Sequence, residues 1–313
     1  MDELVGLLDG PRARGAFLLR SIMSSPWSLR IEDEAPLTVI ALVRGEAWVL
    51  PDAADGVRLG PGDLAVVRGP RHYTVADAAG TLPQVVIHPG QRCTTLAGEE
   101  LAQAMDLGVR SWGNDPAGSV TMLTGTYPSS GEISRRLLAA LPELLVLRAE
   151  SWSCPLVPLL ADEIVRDEPG QQAVLDRLLD LLLVAAVREW FARREARPPT
   201  GYAGHADPVV GRALRLLQNE PARQWSVASL AAAVGVSRAA LARRFTELVG
   251  EPPMTFLTGW RLALAADLLC EPGSTLGAVA RQVGYGSPYA LGAAFKRVRG
   301  VSPGRHRATS SGR

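Results

Sequence analysis

The chain has 313 residues, with 33 basic and 32 acidic side chains, and 47% of its residues are hydrophobic. This balance excludes global disorder, and the length suffices for two domains of ordinary size. Cys93, Cys154 and Cys270 are too few and too widely spaced for a disulfide framework or a Cys-x-x-Cys zinc site. No apolar stretch is long enough to span a bilayer, and the acidic N-terminal residues do not resemble a signal peptide. We therefore expect a cytoplasmic protein without membrane contact.

Short apolar segments separated by turn residues occupy the chain from about residue 15 to 95. Segments rich in Val, Ile and Leu predict strands over Ala16–Ile22, Leu37–Val43, Ala47–Leu50, Leu64–Val67 and Gln84–Ile87. The Gly, Pro and Asp residues between these segments are typical of tight turns. Short strands at close spacing favour an antiparallel sandwich or barrel.

From about Ile133 the apolar spacing changes to a helical period. Helical spacing predicts a helix through Leu137, Leu138, Leu141, Leu144 and Leu145, and two further helices over Leu156–Arg166 and Gln171–Arg194. The last helix is apolar on most of its circumference and must be covered nearly all round. Burial within its own domain and a dimer interface both satisfy this requirement, and the sequence favours neither.

The composition changes at residues 196–206, where Pro and Gly predict a linker between domains at 1–195 and 207–313. From His205 onward the chain has 14 basic and 6 acidic residues, a net charge of +8, whereas the preceding 204 residues have a net charge of −7. The overall charge of +1 therefore hides two unlike halves. A basic binding module fused to an acidic regulatory domain would have this asymmetry.

An internal repeat is the most specific signal in the chain. Leu230-Ala-Ala-Ala-Val-Gly235 corresponds to Val279-Ala-Arg-Gln-Val-Gly284. The residues that recur 50 positions later are Ser237, Leu241, Phe245, Gly250 and Pro253, which match Ser287, Leu291, Phe295, Gly300 and Pro303. Each copy predicts a helix closed by glycine, a tight turn, and a second helix capped by serine. This is the helix-turn-helix arrangement, in which the second helix enters the DNA major groove.

The helical period assigns a core face and an outward face to each second helix. The predicted core residues are Leu241, Phe245 and Leu248 in the first copy, and Leu291, Phe295 and Val298 in the second. The outward residues are Ala239, Ala242, Arg243 and Thr246 in the first copy, and Tyr289, Gly292, Ala293 and Lys296 in the second. Arg243 is the best candidate for base reading, because a guanidinium can donate two hydrogen bonds to guanine.

Further basic side chains surround these helices and are expected to meet phosphates, with Tyr289 against sugar or phosphate. They are Arg238, Arg244, Arg281, Lys296, Arg297, Arg299, Arg305 and Arg307. Between the two copies, Thr255–Leu269 predicts one continuous helix. Such a strut would hold the two reading helices apart, in neighbouring segments of the major groove.

The run Val279-Ala-Arg-Gln-Val-Gly-Tyr-Gly-Ser287, with Ala294-Phe-Lys-Arg-Val-Arg-Gly-Val-Ser-Pro303, resembles the C-terminal signature of the AraC/XylS transcription regulators. The resemblance covers about 207–307 and implies two helix-turn-helix units joined by a long helix. It implies base contacts at Ala239, Ala242, Arg243, Pro288, Tyr289, Ala290 and Ala293. Because several of these are alanine, we expect sparse direct readout and more weight on phosphate contacts and DNA shape. It also implies promoter DNA and RNA polymerase as partners, with activation more often than repression.

The N-terminal half resembles the cupin-type sensor domain that precedes many such DNA-binding domains. The residues that carry this resemblance are Val43-Arg-Gly-Glu-Ala-Trp48, Arg58-Leu-Gly-Pro-Gly-Asp-Leu64 and Arg68-Gly-Pro-Arg-His72. The expected fold is thus an α+β multidomain protein, with a cupin-like antiparallel β-barrel and its C-terminal helices followed by an all-α domain. Catalytic cupins carry metal ligands before the conserved Gly, and Leu37–Val43 has none. We therefore expect neither enzyme activity nor a cofactor.

Two sets of residues in the sensor half have open alternatives. Trp48, His72 and Tyr73, with Trp27, could line a pocket for an apolar or aromatic effector, although aromatic residues also fill cores. His72, His88 and Cys93 are ligand types that suit zinc or copper, and Cys93 could sense oxidants. Structural histidines and a buried cysteine are the alternatives.

The leading interpretation is a homodimeric transcription regulator whose N-terminal domain senses a small-molecule or redox signal. A metal-dependent cupin enzyme fused to a DNA-binding domain, and a DNA-binding dimer that needs no ligand, stay open.

Overall fold

A computed structural model describes residues 17–127, 138, 141–193, 204, 207–270 and 273–310. They form two compact units, one containing 17–127 and 141–193 and the other containing 207–270 and 273–310. The first unit is mainly β-sheet and the second is helical, which confirms the predicted α+β multidomain class. The predicted linker at 196–206 lies outside the described residues apart from Gly204, and the domain boundaries stay a prediction.

Two six-stranded sheets build the N-terminal unit. The strands are β1 (Phe17–Met23), β2 (Ser28–Ile31), β3 (Leu37–Arg44), β4 (Ala47–Pro51), β5 (Val57–Leu59), β6 (Leu64–Arg68), β7 (Tyr73–Ala76), β8 (Val85–His88), β9 (Arg92–Thr95), β10 (Ser111–Gly113), β11 (Val120–Tyr127) and β12 (Leu144–Leu147). Their orders are β10-β1-β11-β3-β6-β12 and β5-β4-β7-β2-β8-β9. β1 pairs with β10, and β2 with β8, in parallel, so the sheets are mixed where the sequence predicts an antiparallel barrel.

One apolar cluster joins the two sheets. Ile40 and Met122 enter it from the first sheet, and Val49 and Val75 enter it from the second. The first six residues of β3 are all buried, and a helix described below contacts this strand from the other side. Burial on both faces explains why Leu37–Val43 is a continuous apolar run without alternating polar residues.

The predicted helix through Leu144 and Leu145 is wrong at its C-terminal end. These residues belong to β12, where Leu145 pairs with Val66 of β6 in an antiparallel ladder. Pro142 precedes them and cannot continue a helix interior, so the chain is free to pair with the edge of β6. The part of this prediction at 133–137 and 139–140 lies outside the described residues.

Two helices, α1 (Leu156–Glu163) and α2 (Gln171–Ala192), follow the strands, close to the predicted bounds. α1 contacts β3, and α2 contacts both α1 and β12. α2 is joined to β11 through Tyr127, whose hydroxyl donates to the carbonyl of Leu179 at 3.2 Å. One face of α2 is therefore buried within its own unit, including Leu175, Leu179, Leu182, Leu183, Ala186, Val187 and Phe191. Val174 and Leu181 lie on the other face and are exposed.

Seven helices form the described part of the C-terminal unit. They are α3 (Pro208–Asn219), α4 (Val227–Val234), α5 (Arg238–Val249), α6 (Pro253–Cys270), α7 (Leu276–Gln282), α8 (Pro288–Arg299) and α9 (Pro303–Ser310). α4 and α5 form one helix-turn-helix unit, α7 and α8 form the other, and α6 joins them, as predicted. Among the described residues, no helix has the combined length and apolarity that a bilayer span requires.

Each helix-turn-helix unit has its own core. Leu241 and Phe245 are buried in the first core, and Leu291 and Phe295 are buried in the second, which confirms their predicted positions. Val298 is 55% exposed, and its predicted core position is wrong. The second core ends at Phe295, so Val298 lies past its edge.

Gly125 provides a test of how α2 is held against the sheet. A Cβ at this position would lie 2.5 Å from Cδ1 of Leu179, so Gly125→Ala should force α2 away from β11. We expect the free energy of unfolding to fall by about 1–3 kcal/mol in a urea titration. Gly80→Ala is the matched control, because its Cβ would have nothing within 4 Å. Equal stabilities of the two variants would contradict this packing.

Candidate nucleic-acid interface and sensor cavity

The two helix-turn-helix units are built by the same local chemistry. Gly235 ends α4 with a φ of +77°, and Gly284 follows α7 with a φ of +83°, in the left-handed region that favours glycine. Ser237 accepts a hydrogen bond from the backbone N–H of Ala240 at 3.2 Å, and Ser287 accepts one from Ala290 at 3.1 Å. The predicted turn and N-cap residues are confirmed in both copies.

The predicted DNA-binding side chains lie on the solvent face of α5 and α8. All are exposed except Ala242, which is half-buried: Arg238, Ala239, Arg243, Thr246, Pro288, Tyr289, Ala293, Lys296 and Arg297. Tyr289 is 86% exposed, a large value for an aromatic side chain that nothing in its own unit covers. Thr246 donates its hydroxyl to the carbonyl of Ala242 at 2.8 Å, so part of its hydrogen-bonding capacity is used within α5.

The basic side chains differ in how they are engaged. Within the described parts of the chain, Arg238, Arg243 and Lys296 have exposed side chains without a hydrogen bond or ion pair to protein. Arg307 donates to the carbonyl oxygens of Leu269 at 2.9 Å and Ser274 at 3.0 Å. It thus satisfies carbonyls at the C-terminus of α6, where helix ends favour cations.

Asp207 connects the start of α3 to the recognition helix α5. Its carboxylate accepts from the backbone N–H groups of Val209 at 3.0 Å and Val210 at 2.9 Å, and from Nε of Arg244 at 2.8 Å. Burial opposes ionisation, but these donors outweigh it and lower the pKa of Asp207 below its ordinary value. Arg244 therefore acts as a brace inside the unit, although the sequence suggests a phosphate contact.

Arg261 of α6 fixes the loop that lies between the two units. Its Nε donates to the carbonyl of Pro221 at 2.7 Å, and its Nη2 donates to the carbonyl of Arg223 at 2.8 Å. Half-burial lowers the pKa of Arg261, so its placement has a desolvation cost that these hydrogen bonds offset. Gln224 of the same loop donates to the carbonyl of Gly284 at 3.0 Å.

Gly284 lies so close to this loop that only glycine fits without displacement. A Cβ there would be 2.7 Å from the oxygen of Pro221 and 2.8 Å from Cα of Ala222. The turn of the second unit is therefore packed on the loop of the first. Sequence reasoning missed this junction, although Arg261 is the one charged residue between Thr255 and Ala266 and offered a signal.

A cavity with about 570 Å³ of empty space, partly open to solvent, lies in the N-terminal unit. Tyr73 lines it, as predicted for the effector pocket, whereas Trp48 and His72 do not. Trp48 alternates with Ala47 and Val49, which point into the core, so it faces the other side of β4. Trp27 is buried in the core cluster.

The predicted metal or redox residues are not brought together. Among the described residues, no three His, Cys, Asp or Glu side chains are grouped as metal ligands. His72 lies 3.9 Å from Glu32, and His88 is 2.9 Å from the hydroxyl of Thr94. Cys93 lines the cavity, and burial, with a smaller contribution from Glu100, raises the pKa of its thiol. A protonated thiol is a poor nucleophile, which disfavours redox sensing.

Comparison with known proteins gives the family. A cupin family model matches residues 2–192, and a helix-turn-helix family model matches residues 230–309. An AraC-like transcription regulator of Streptomyces lividans is 31% identical over 312 residues, which is 98% of each chain. The chain belongs to the AraC-like transcription regulators. It is a DNA-binding transcription regulator with an N-terminal cupin domain.

Other relatives of this AraC-like regulator also match over its length. An AraC-like regulator of Streptomyces antibioticus is 30% identical over 315 residues, and MtrA of Neisseria gonorrhoeae is 28% identical over 312 residues, each covering 98% of both chains. Among solved structures, the DNA-binding domain of the global transcriptional factor AdpA, in complex with a target DNA, is 34% identical. That match covers 33% of this chain and 92% of the AdpA chain, with a TM-score of 0.31.

Arg243 is expected to read a base. Arg243→Ala should weaken binding to the selected site by about 1–3 kcal/mol and relax sequence choice at one position, measured by competition among single-base variants of that site. Arg92→Ala removes the same charge from the other unit and serves as the control. Equal losses on specific and random DNA would identify Arg243 as a phosphate contact instead.

Arg261 is expected to matter only when both units bind together. Arg261→Met keeps an apolar stem but loses the hydrogen bonds to the loop at 221–223, so the two recognition helices lose their fixed spacing. Binding to a full site should fall about ten-fold while binding to either half of the site is unchanged, measured by fluorescence anisotropy. Arg212→Met, on the exposed face of α3, is the control. A uniform loss on full and half sites would reject a spacing role.

Proposed function

We propose that this AraC-like regulator binds promoter DNA as a homodimer, with α5 and α8 of each protomer in successive segments of the major groove. The observation that carries the proposal is the pair of outward recognition faces, with exposed Arg243 and Lys296, mounted on one shared helix. α6 has 18 residues and a length of about 27 Å, which is compatible with neighbouring groove segments about 34 Å apart. A DNA partner also favours a cytoplasmic location and a regulatory role without catalysis.

The contacts available to DNA are unequal in the two recognition helices. α5 offers a guanidinium at Arg243 beside the small side chains of Ala239 and Ala242, so one direct base contact is expected there. α8 offers Tyr289 and Lys296, which suit sugar, phosphate or shape contacts. Affinity should therefore fall steeply with salt, while sequence choice concentrates on few positions.

A selection experiment tests this function directly. Sites enriched from random DNA with the full-length protein should contain two short conserved segments per protomer, and footprinting should protect both on one side of the duplex. Binding without sequence preference, or protection of one segment only, would overturn the proposal. Transcription from such a site with purified RNA polymerase then decides its sign, which we propose is activation because the family usually activates.

The homodimer is proposed to form along α2. Val174, Leu178 and Leu181 follow one another at spacings of four and three residues on the face of α2 that the sheet does not cover. Leu181 is 53% exposed and Val174 is 46% exposed, which is costly unless a partner removes them from water. A second copy is the occupant this stripe fits, because two such helices can pack their apolar seams together. Dimerisation also brings a second DNA-binding domain to high effective concentration.

The interface assignment predicts the effect of one charge. Leu181→Glu should convert the dimer to monomer in sedimentation velocity, because a carboxylate would be buried against an apolar partner surface. Leu82→Glu alters an 80% exposed leucine outside α2 and should leave the dimer intact. A dimer that persists in Leu181→Glu would place the interface elsewhere.

A further inference from the structure

The walls of the cavity in the N-terminal unit are mostly apolar. Ile31, Val75 and Ile87 come from the second sheet, and Leu19, Trp112 and Met122 come from the first. Carbohydrates and other polyhydroxylated molecules need many hydrogen-bonding partners, which such walls lack. The lining therefore favours a molecule that is itself largely apolar.

Trp112 has an unmet hydrogen-bonding requirement at this cavity. It is buried in β10, its indole nitrogen is withdrawn from solvent, and among the described residues no acceptor faces that N–H. A buried donor without an acceptor costs about 1–3 kcal/mol, and an entering molecule with an oxygen acceptor would remove that cost. Trp27 also has an unpartnered indole N–H, but it does not line the cavity and so provides a comparison within the same unit.

The charged group of the lining is Asp33. Its carboxylate accepts from the backbone N–H of Ala35 at 3.1 Å and from the side-chain amide of Gln91 at 3.0 Å. Burial, with the negative charge of Asp33, raises the pKa of Tyr73, so the phenol on the facing wall stays neutral. No Arg or Lys lies among the lining residues, and Asp33 would repel an anion.

We propose that this cavity binds a small, neutral, largely apolar molecule with one hydrogen-bond acceptor, and that the indole N–H of Trp112 donates to that acceptor. The proposal rests on the proposed function only in taking this molecule as the regulatory signal.

The position of the cavity gives the bound molecule a direct mechanical connection to α2. Met122, Thr124 and Thr126 of β11 line the cavity, whereas Gly125 and Tyr127 between and beyond them contact α2 at Leu179. A molecule that moves β11 therefore acts on the helix that carries the proposed dimer stripe. It changes the dimer only if it binds one arrangement of α2 more tightly than another.

The test uses two probes of nearly equal shape, acetophenone and ethylbenzene, with benzoate as the anionic counterpart. Full-length protein, free of DNA, is labelled with ¹⁵N at its seven tryptophans and titrated with each probe. Acetophenone should bind about five-fold or more tightly than ethylbenzene, and benzoate more weakly than acetophenone. The indole N–H signal of Trp112, assigned by its absence in Trp112→Phe, should move on binding acetophenone.

Three variants make the result specific. Trp112→Phe should reduce acetophenone affinity to that of ethylbenzene, whereas Trp27→Phe should retain the preference. Thr124→Met narrows the cavity from β11 and should weaken both neutral probes, which provides a second check if Trp112→Phe folds poorly. Equal affinities of the neutral probes, tighter binding of benzoate, or binding of none of them would overturn the proposal. Binding as predicted, without any change in dimerisation or DNA affinity, would uphold the site and reject its regulatory role.

Discussion

The C-terminal unit depends on one helix that is shared between two hydrophobic cores. Leu257 of α6 is buried in the first core, and Leu262, Ala266 and Leu269 are buried in the second. Trp260 lies between them, stacks on Phe256 with ring centroids 6.5 Å apart, and donates its indole N–H to the carbonyl of Gln218 at 3.4 Å. Because neither core closes without α6, the two recognition helices cannot be placed independently of each other.

Two contacts turn this shared helix into a spacing device. Arg261 holds the loop that precedes α4, and Gly284 packs directly against the same loop. The first unit is in turn braced by Asp207 and Arg244, and the far end of α6 is capped by Arg307. With few side chains available for direct base readout, a fixed separation of α5 and α8 becomes a source of specificity in its own right. Two weak readings at a set distance select DNA that one weak reading cannot.

Local chemistry explains which features the sequence predicts well. Ser237 and Ser287 cap helices, and the glycines after α4 and α7 turn the chain, through contacts within a few residues of themselves. The repeat, the strut and the recognition faces depend on such local rules and on helical periodicity, so they are predictable. The family resemblance adds the fold of the sensor half, which short strand patterns alone leave open.

Features that depend on long-range pairing are not predictable in this way. β12 is leucine-rich and resembles a helix until β6 is known to lie beside it. The cavity is lined from β1, β2, β3, β7, β8, β9, β10 and β11, so its residues are scattered along the sequence, and Trp112 carries no local mark of its position. Trp48 and His72 were attractive by residue type alone, but strand alternation turns Trp48 away. Arg261 needed the position of the loop at 221–223 before its role could be seen.

The most direct test of fixed spacing is the affinity of the full-length protein for a series of selected sites in which the two segments contacted by one protomer are moved apart. Inserting 5 base pairs turns one segment to the opposite side of the duplex, and inserting 10 base pairs moves it about 34 Å further along the helix, beyond the reach of α6 at about 27 Å. Both insertions should therefore reduce affinity to that of a single segment. Affinity that is unchanged by either insertion, or restored at 10 base pairs, would contradict a rigid separation of α5 and α8.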